Sequence, residues 1–500
     1  MTNPFFYWLI KTRPVNERQA LLLLFLMMST FSQAQDISRR LYDAHETYKE
    51  KTFMHRRFKH SAIVPLLDSL SGPLSVSQVG ESMENRAIYQ VQAGTGPAKV
   101  LLWSQMHGDE ATATMALFDI FNFLRAENDG FDSLRQTILT NTSLYFVPML
   151  NPDGAERWQR RTVSDIDMNR DALRLQTPEG RLLKRLQQSL KPLVGFNLHD
   201  QNPRYSVGKT GKQAVVSFLA TAYDRDRNIN DVRQRSMQLI VGMNQVLQQF
   251  IPGQVARYDD EFEPRAFGDN IQKWGTTLVL IESGGFLGDP EKMAIRKLNF
   301  VAILTALKAI ADSSYAQENT AGQVIAQYQA IPENNRALFD VLIRNVTTVQ
   351  KGKPVVVDIG INHNEVNNKG ATSFSYKSSI EDIGDLSTFY GLQEIDATGL
   401  TLTPVGVYES TLESDAELEK LDIATLRRDG VTAFKVVKAP KDKFPEQPIH
   451  LLYRGKLPAQ PVSLGQVPTF LLKKGNEIRY RLVNGFWEDD QLSRKNGVVE

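Results

Sequence analysis

The 500-residue sequence contains no cysteine. That excludes disulfides, thiolate nucleophiles, iron–sulfur clusters and cysteine-ligated zinc. Net charge is almost absent: 58 basic residues against 57 acidic leave +1. No long-range field draws the chain to nucleic acid or an anionic membrane, and no nucleic-acid partner is expected. Histidine is scarce, seven in all, so any metal must rest on a few imidazoles helped by Asp or Glu. Long apolar runs are missing apart from Ala20–Met28, nine residues and too short to span a bilayer comfortably. Lys11, Arg13 and Arg18 precede that run, and the small residues Ser32 and Ala34 follow it. The segment reads as a signal peptide of bacterial type cleaved after Ala34, giving an exported, periplasmic or secreted protein with no membrane span left after cleavage. What is present, 42% hydrophobic and 23% charged residues, belongs to folded globular protein.

Beyond the leader (1–34), residues 35–70 look helical and charged. From about 75 to 313 short apolar runs alternate with longer amphipathic ones. Strands are expected at Ala98–Ser104, Ser143–Leu150, Leu193–Leu198, Ala214–Thr221 and Thr276–Ile281. Helices are expected at Ala111–Ala126, Pro178–Leu190, Asn228–Phe250 and Pro290–Asp312. This alternation predicts an α/β fold with a mixed, mostly parallel sheet flanked by helices, over 35–313. Residues 314–350 read as a polar linker with a short helical stretch near 322–344. From 351 to 500 the runs KPVVVDIGI, TAFKVVKAP, IHLLYRG and EIRYRLV predict a smaller, mostly β region.

The chemistry gathers at predicted strand ends. His107 and Glu110 stand three apart in SQMHGDEATAT, a spacing that turns both toward one point. Seven histidines and 57 acids give about 0.8 such pairs by chance, so the pair alone is a weak signal. No other histidine has an acid at +3. The pair lies just beyond an apolar strand, where open α/β sheets bind ligands. The pattern recurs: Asn151, Pro152, Asp153 and Gly154 follow a second strand, His199 ends a third, and Glu282 ends a fourth. His107, Glu110 and His199 form a two-histidine, one-carboxylate set suited to one zinc ion with an open position. Glu282 is then free to act as general base. Singly, His199 is as easily a buried structural histidine and Glu282 a paired acid. Arg160, Arg161, Asn169 and Arg170, in WQRRTVSDIDMNRD, supply groups that bind carboxylates or a developing oxyanion. VGKTGK at 207–212 lacks the leading glycine of a phosphate loop, Pro203 standing there instead.

In this order HGDE, NPDG, RRT…DMNRD, NLHD and IESGG resemble the carboxypeptidase A-type zinc metallopeptidases, as does GESMENRAIYQVQAG before them. The resemblance covers about 75–312. It implies zinc on His107, Glu110 and His199, Glu282 as general base, and Asn169 and Arg170 as clamp for the substrate's terminal carboxylate. It further implies that Arg160, ten residues before Arg170, stabilises the oxyanion, with Arg161 the other choice. The family's flap tyrosine has no aligned counterpart: Tyr258 is near but not in place, and Arg265, Phe267 and Asp269 occupy the expected flap. The implied activity is hydrolysis of C-terminal peptide bonds. The same scaffold would also serve a cell-wall peptide amidase or carboxypeptidase, an N-acyl amino acid deacylase, or a non-catalytic binding module. The C-terminal region would stabilise the α/β unit, shape its cleft or bind cell-wall material, and His363 and His450 there read as structural or surface residues. Oligomeric state is left open by the sequence.

Overall fold

The computed structural model describes residues 37–316, 320–440, 448–455, 457 and 462–489; the expected leader and its cleavage point lie outside the described residues. The described chain begins with α1 over 37–48 and α2 (His60–Asp68). The hairpin β1 (Leu74–Glu81) and β2 (Ala87–Ala93) leads into β3 (Ala98–Trp103), α3 (Thr112–Arg125), α4 (Asp132–Asn141), β4 (Thr142–Val147) and α5 (Pro152–Arg157). Then come α6 (Pro178–Leu190), β5 (Val194–Asp200), the short β6 (Ser206–Val207), β7 (Val216–Leu219), α7 (Asp231–Leu247) and β8 (Val255–Arg257). The unit closes with α8 (Phe267–Lys273), β9 (Thr277–Ser283) and α9 (Met293–Ala311).

Eight of these strands form one sheet in the order β1-β2-β4-β3-β5-β9-β7-β8. The central four, β4, β3, β5 and β9, run parallel. Their carboxyl ends therefore share one edge. In β3 the side chains alternate between faces, as a strand requires. Val100 and Leu102 join the core that holds α1–α4, α7 and α9; Leu101 and Trp103 join the core that holds α6 and α8. With both faces covered, the central strands are apolar throughout, which is what made them legible. The five expected strands and four expected helices are all present, with ends shifted by up to three residues. The fold is α/β with a mixed, mostly parallel sheet.

The stretch expected to be helical near 322–344 is a helix only over α10 (Ala321–Gln329), started by a capping box on Thr320. The chain breaks at Ile331–Pro332, makes the short β10 (Asn334–Asn335), and runs on as the long strand β11 (Leu338–Gln350). Val341, Ile343 and Val346 face inward there, and branched side chains at such spacing suit a strand. β12 (Lys353–Asn367), β13 (Phe374–Gly384) and β14 (Tyr390–Asp396) pack around it, followed by β15 (Thr401–Pro404) and the short β16 (Gly406–Val407). After α11 (Ile423–Arg428) come β17 (Val431–Val436), β18 (His450–Tyr453), β19 (Phe470–Lys474), β20 (Glu477–Val483) and β21 (Phe486–Asp489). The result is a C-terminal β-rich region with its own core of Val341, Ile359, Ile361, Phe470 and Leu482. Among the described residues no helix is long and apolar enough to cross a membrane.

Candidate metal centre and active site

His107 and Glu110 sit in the turn between β3 and α3, His199 near the end of β5, and Glu282 near the end of β9. His199 and Glu282 are direct partners in the parallel β5–β9 register, so their side chains leave the sheet on the same face. The turn carrying His107 is held by the NPDG segment. Asn151 donates its backbone N–H to Gln105 O and its side-chain amide to Met106 O, and its Oδ1 caps α5 at Gly154 N. Gly108 lies against Gly154 so closely that a Cβ on Gly108 would stand 2.0 Å from the Gly154 carbonyl carbon. The His107 turn thus needs Gly108 for NPDG, while a Cβ on Gly154 would press on its own cap residue Asn151. Asp153 turns the opposite way and accepts from Ser82 Oγ (2.7 Å), Glu84 N (2.9 Å) and Arg86 Nη1 (2.6 Å). The GESMENR stretch is therefore tied to NPDG, not to the metal-ligand candidates themselves.

The three candidate ligands converge. Their donor atoms lie within 4.8 Å of one another. Glu110 bridges the two imidazoles, 2.7 Å from His107 Nδ1 and 2.7 Å from His199 Nδ1, and the two Nδ1 atoms are 3.1 Å apart. Two ligands bound tetrahedrally at zinc distances stand about 3.3 Å apart, so the spacing suits one ion with little movement. The chemistry of the set, two neutral-capable imidazoles and a carboxylate, also suits zinc. His107, Glu110, His199 and Glu282 are 2, 6, 2 and 8% exposed. Burial works against charging His107, yet Glu110 and a hydrogen bond to Asp167 hold its pKa up at about 9. Burial likewise opposes the Glu110 charge, but the two histidines bring its carboxyl well below the usual range. Burial, helped by the charges of His107 and Arg160, lowers His199 against the pull of Glu110. The pocket thus favours a positive charge between these side chains.

Glu282 has the reverse problem. Burial, and next the Glu110 carboxylate, push its carboxyl well above the usual range. A carboxyl so placed holds a proton more readily than an ordinary one, which suits a group that takes and returns a proton. Arg160 reaches the cluster, 2.9 Å from Glu110 Oε1 and 3.2 Å from Asp167 Oδ2. Arg161 turns out toward the Asp165 carbonyl. Asn169 and Arg170 do not touch the cluster. The Asn169 Oδ1 accepts from Phe267 N (2.9 Å) at the start of α8, and Arg170 pairs with Glu263 at 3.2 Å.

Three groups had no assigned role in the sequence. Asp167 accepts from His107 Nε2 at 3.1 Å, the contact that fixes which imidazole nitrogen faces the metal position. Asp200, beside His199, is held by Thr112 Oγ1 (2.6 Å) and Lys292 Nζ (3.0 Å). Tyr258 follows β8, and burial, with the charges of Glu282, Tyr205 and Glu110, pushes its phenol far above the usual range. The expectation that Arg265, Phe267 and Asp269 form a flap is corrected. Phe267 and Asp269 are buried in α8, because the apolar face of that helix covers the sheet. Tyr258, set aside on spacing, is the tyrosine near Glu282.

Residues 63–189 match the zinc carboxypeptidase family model. Over those residues the chain is similar to the zinc carboxypeptidases. The match contains His107, Glu110, Arg160, Asn169 and Arg170 and stops short of His199 and Glu282, which the fold brings to the same place. Carboxypeptidase SOL1 of Arabidopsis thaliana is 27% identical over 99 residues, 19% of this chain and 20% of that protein. Probable carboxypeptidase 2 of Trichophyton verrucosum is 26% identical over 148 residues, 28% of this chain and 27% of that protein. The matched stretch therefore spans about a fifth to a quarter of these curated relatives. A metallo-carboxypeptidase from Burkholderia cenocepacia superimposes with a TM-score of 0.41 at 15% identity, covering 51% of this chain and 69% of that one. In the structure the HGDE, NLHD and IESGG segments meet at one sheet edge.

Proposed function

We propose that this chain is an exported metallocarboxypeptidase that removes the C-terminal residue of a peptide, with a single zinc ion on His107, Glu110 and His199. The convergence of those three side chains beside the buried Glu282 carries the reading. A bound zinc ion would polarise the scissile carbonyl and acidify water at this point. Glu282 takes the proton from that water and delivers it to the leaving amine. Arg160, which reaches the cluster beside Glu110, would donate to the carbonyl oxygen as it gains charge. Arg170, released from Glu263, binds the terminal carboxylate, and Asn169 holds the turn in place and offers its amide. Tyr258 keeps its proton at neutral pH and is available as a donor to the peptide. Export rests on the basic and apolar leader of the sequence.

The test is Glu282→Gln. Zinc content should stay at one per chain while turnover of C-terminal peptides falls by about 10²–10⁴-fold or more. Full activity in this variant would overturn the base assignment. A substrate panel that sets ordinary peptides beside cell-wall peptides and N-acyl amino acids separates carboxypeptidase from amidase or deacylase. Metal binding without hydrolysis of any of them would favour the binding-module reading.

A further inference from the structure

A cavity of about 780 Å³ opens from the metal position toward the C-terminal region. Its walls come from both units. The α/β unit gives Asp109, Glu110 and Arg160 at one end and Phe286 and Leu287 along the side; the β-rich region gives His363, Tyr376 and Phe486. Asn169 and Arg170 are not among its lining. With the substrate's carboxylate on Arg170, this space is left for the residues that precede the scissile bond. The inference rests on the proposed carboxypeptidase reading for that direction.

The far wall has a defined chemistry. His363 stacks on Phe486 at 4.3 Å between ring centres and 2° between planes, and Tyr376 leans on both. Phe486 is 46% exposed and Leu287, on the other unit, 59%. Two large apolar side chains left open to solvent need a reason when both face one cleft. The bases of the lining are spoken for within it: Arg56 by Glu365, Arg204 by Asp340, Lys292 by Asp200 and Arg160 by Glu110. Among the described lining residues, the cleft thus offers an acidic upstream side chain no unpaired cation beyond Arg160, which is assigned to the carbonyl oxygen. Asp109 and Asp200, toward the metal position, each keep a carboxylate oxygen without a partner; on the far wall, what is left open is apolar and aromatic surface.

We propose that the C-terminal β region supplies an acyl-side subsite, in which Phe486, stacked on His363, and Leu287 receive an apolar or aromatic side chain upstream of the scissile bond. The region is then a specificity wall of the active-site cleft as well as an appended stabiliser.

The test uses peptides that share one C-terminal residue and carry Gly or Phe at the second, third or fourth position from that end. Two readings are taken: kcat/KM with the zinc-loaded full chain, and dissociation constants with Glu282→Gln. At one position Phe should be preferred by about tenfold or more, as expected for partly burying one aromatic side chain. Phe486→Ala and, from the other wall, Leu287→Ala should each pull that preference toward one in both readings. Leu287 is exposed on a loop, so its variant keeps the test valid if Phe486→Ala misfolds. No preference in the unaltered protein, no peptide binding at all, or a preference untouched by either variant overturns the subsite. Selective binding without hydrolysis would support the subsite and overturn the carboxypeptidase reading, which separates the two failures.

Discussion

Asp167→Asn isolates how far this centre depends on a residue that never meets the metal. Asp167 Oδ1 is 3.1 Å from His107 Nε2 and takes Asn169 N at 3.0 Å, while Oδ2 is 3.2 Å from Arg160. Burial raises the Asp167 carboxyl, but the His107 bond and the His107, Arg160 and Arg170 charges outweigh it and hold the group below its usual range. Asparagine keeps the shape and loses the charge. It can also turn its amide to Nε2, which favours the imidazole tautomer with the proton on Nδ1, the atom that must face the metal. A full charge at about 4 Å in a medium of effective dielectric 20 is worth about 4 kcal/mol, which bounds the effect. Outer-shell partners of this kind are typically worth 10–100-fold in metal affinity, about 1.4–2.7 kcal/mol. Zinc affinity of Asp167→Asn, measured by competition with a chromophoric chelator, should fall within that range. Asp165→Asn, on the same loop with its backbone groups engaged by Arg161 and Thr162, should leave it unchanged. Equal affinities for Asp167→Asn and the unaltered protein would refute the claim that Asp167 sets the His107 tautomer.

Gly108→Ala would place a Cβ 2.0 Å from Gly154; the displaced turn should lower the melting temperature by an amount matching about 1–3 kcal/mol and weaken zinc retention, and a fully stable, zinc-loaded variant would show the two segments can part freely. Asp269 is pushed by burial up to about 7. Its folded value lies above its unfolded value, so the protonated fold is favoured at low pH and stability is lost as pH rises from about 4 through 7, by up to about 4 kcal/mol. Asp269→Asn should therefore raise the melting temperature clearly at pH 8 and little at pH 4.5, and an equal gain at both would sink the assignment. Glu365→Ala removes the carboxylate shared by the buried Arg56 and Arg57; because Glu365 is itself partly exposed, a loss of about 1–3 kcal/mol is expected in thermal unfolding, and no change would mean the pairs add nothing to docking.

The metal-ligand candidates were legible because their signals are local. His107 and Glu110 share one turn, and His199 and Glu282 each end an apolar strand whose two covered faces make it unmistakable. That these strands are parallel neighbours follows from the alternation of strands and helices, so the common edge could be inferred before any coordinates. Asp167 was hidden by the same locality. Nothing within DIDMNRD tells which acid turns back to an imidazole 60 positions earlier. Tyr258 was set aside because it stands too far before Glu282 by the family's usual spacing. Tyr258 directly follows β8, and the fold brings it near enough for the Glu282 charge to act on its phenol. The strand Leu338–Gln350 was misplaced for a different reason: a helix pattern ends at Gln329 without a glycine stop, and the branched residues beyond it carry no local mark of which core they will join.

The C-terminal wall was beyond sequence reading, since its contacts join segments about 300 positions apart. Arg56 and Arg57, between α1 and α2, meet Glu365 of β12 across that separation. Arg57 also lies over Phe374 at 4.2 Å and Trp158 at 4.7 Å, so each unit contributes a ring to the same guanidinium. Arg204 repeats the arrangement, 2.8 Å from Asp340 and 2.6 Å from the His363 carbonyl. Arg56, Arg204, Asp340, His363 and Glu365 all line the cleft as well. Part of the set of contacts that dock the β region therefore also lines the cleft. It follows by linkage that a ligand filling the cleft against both walls stabilises docking by as much as docking improves its binding. A change in the latch should be felt first in upstream selectivity and only afterwards in the chemistry at His107, Glu110 and His199.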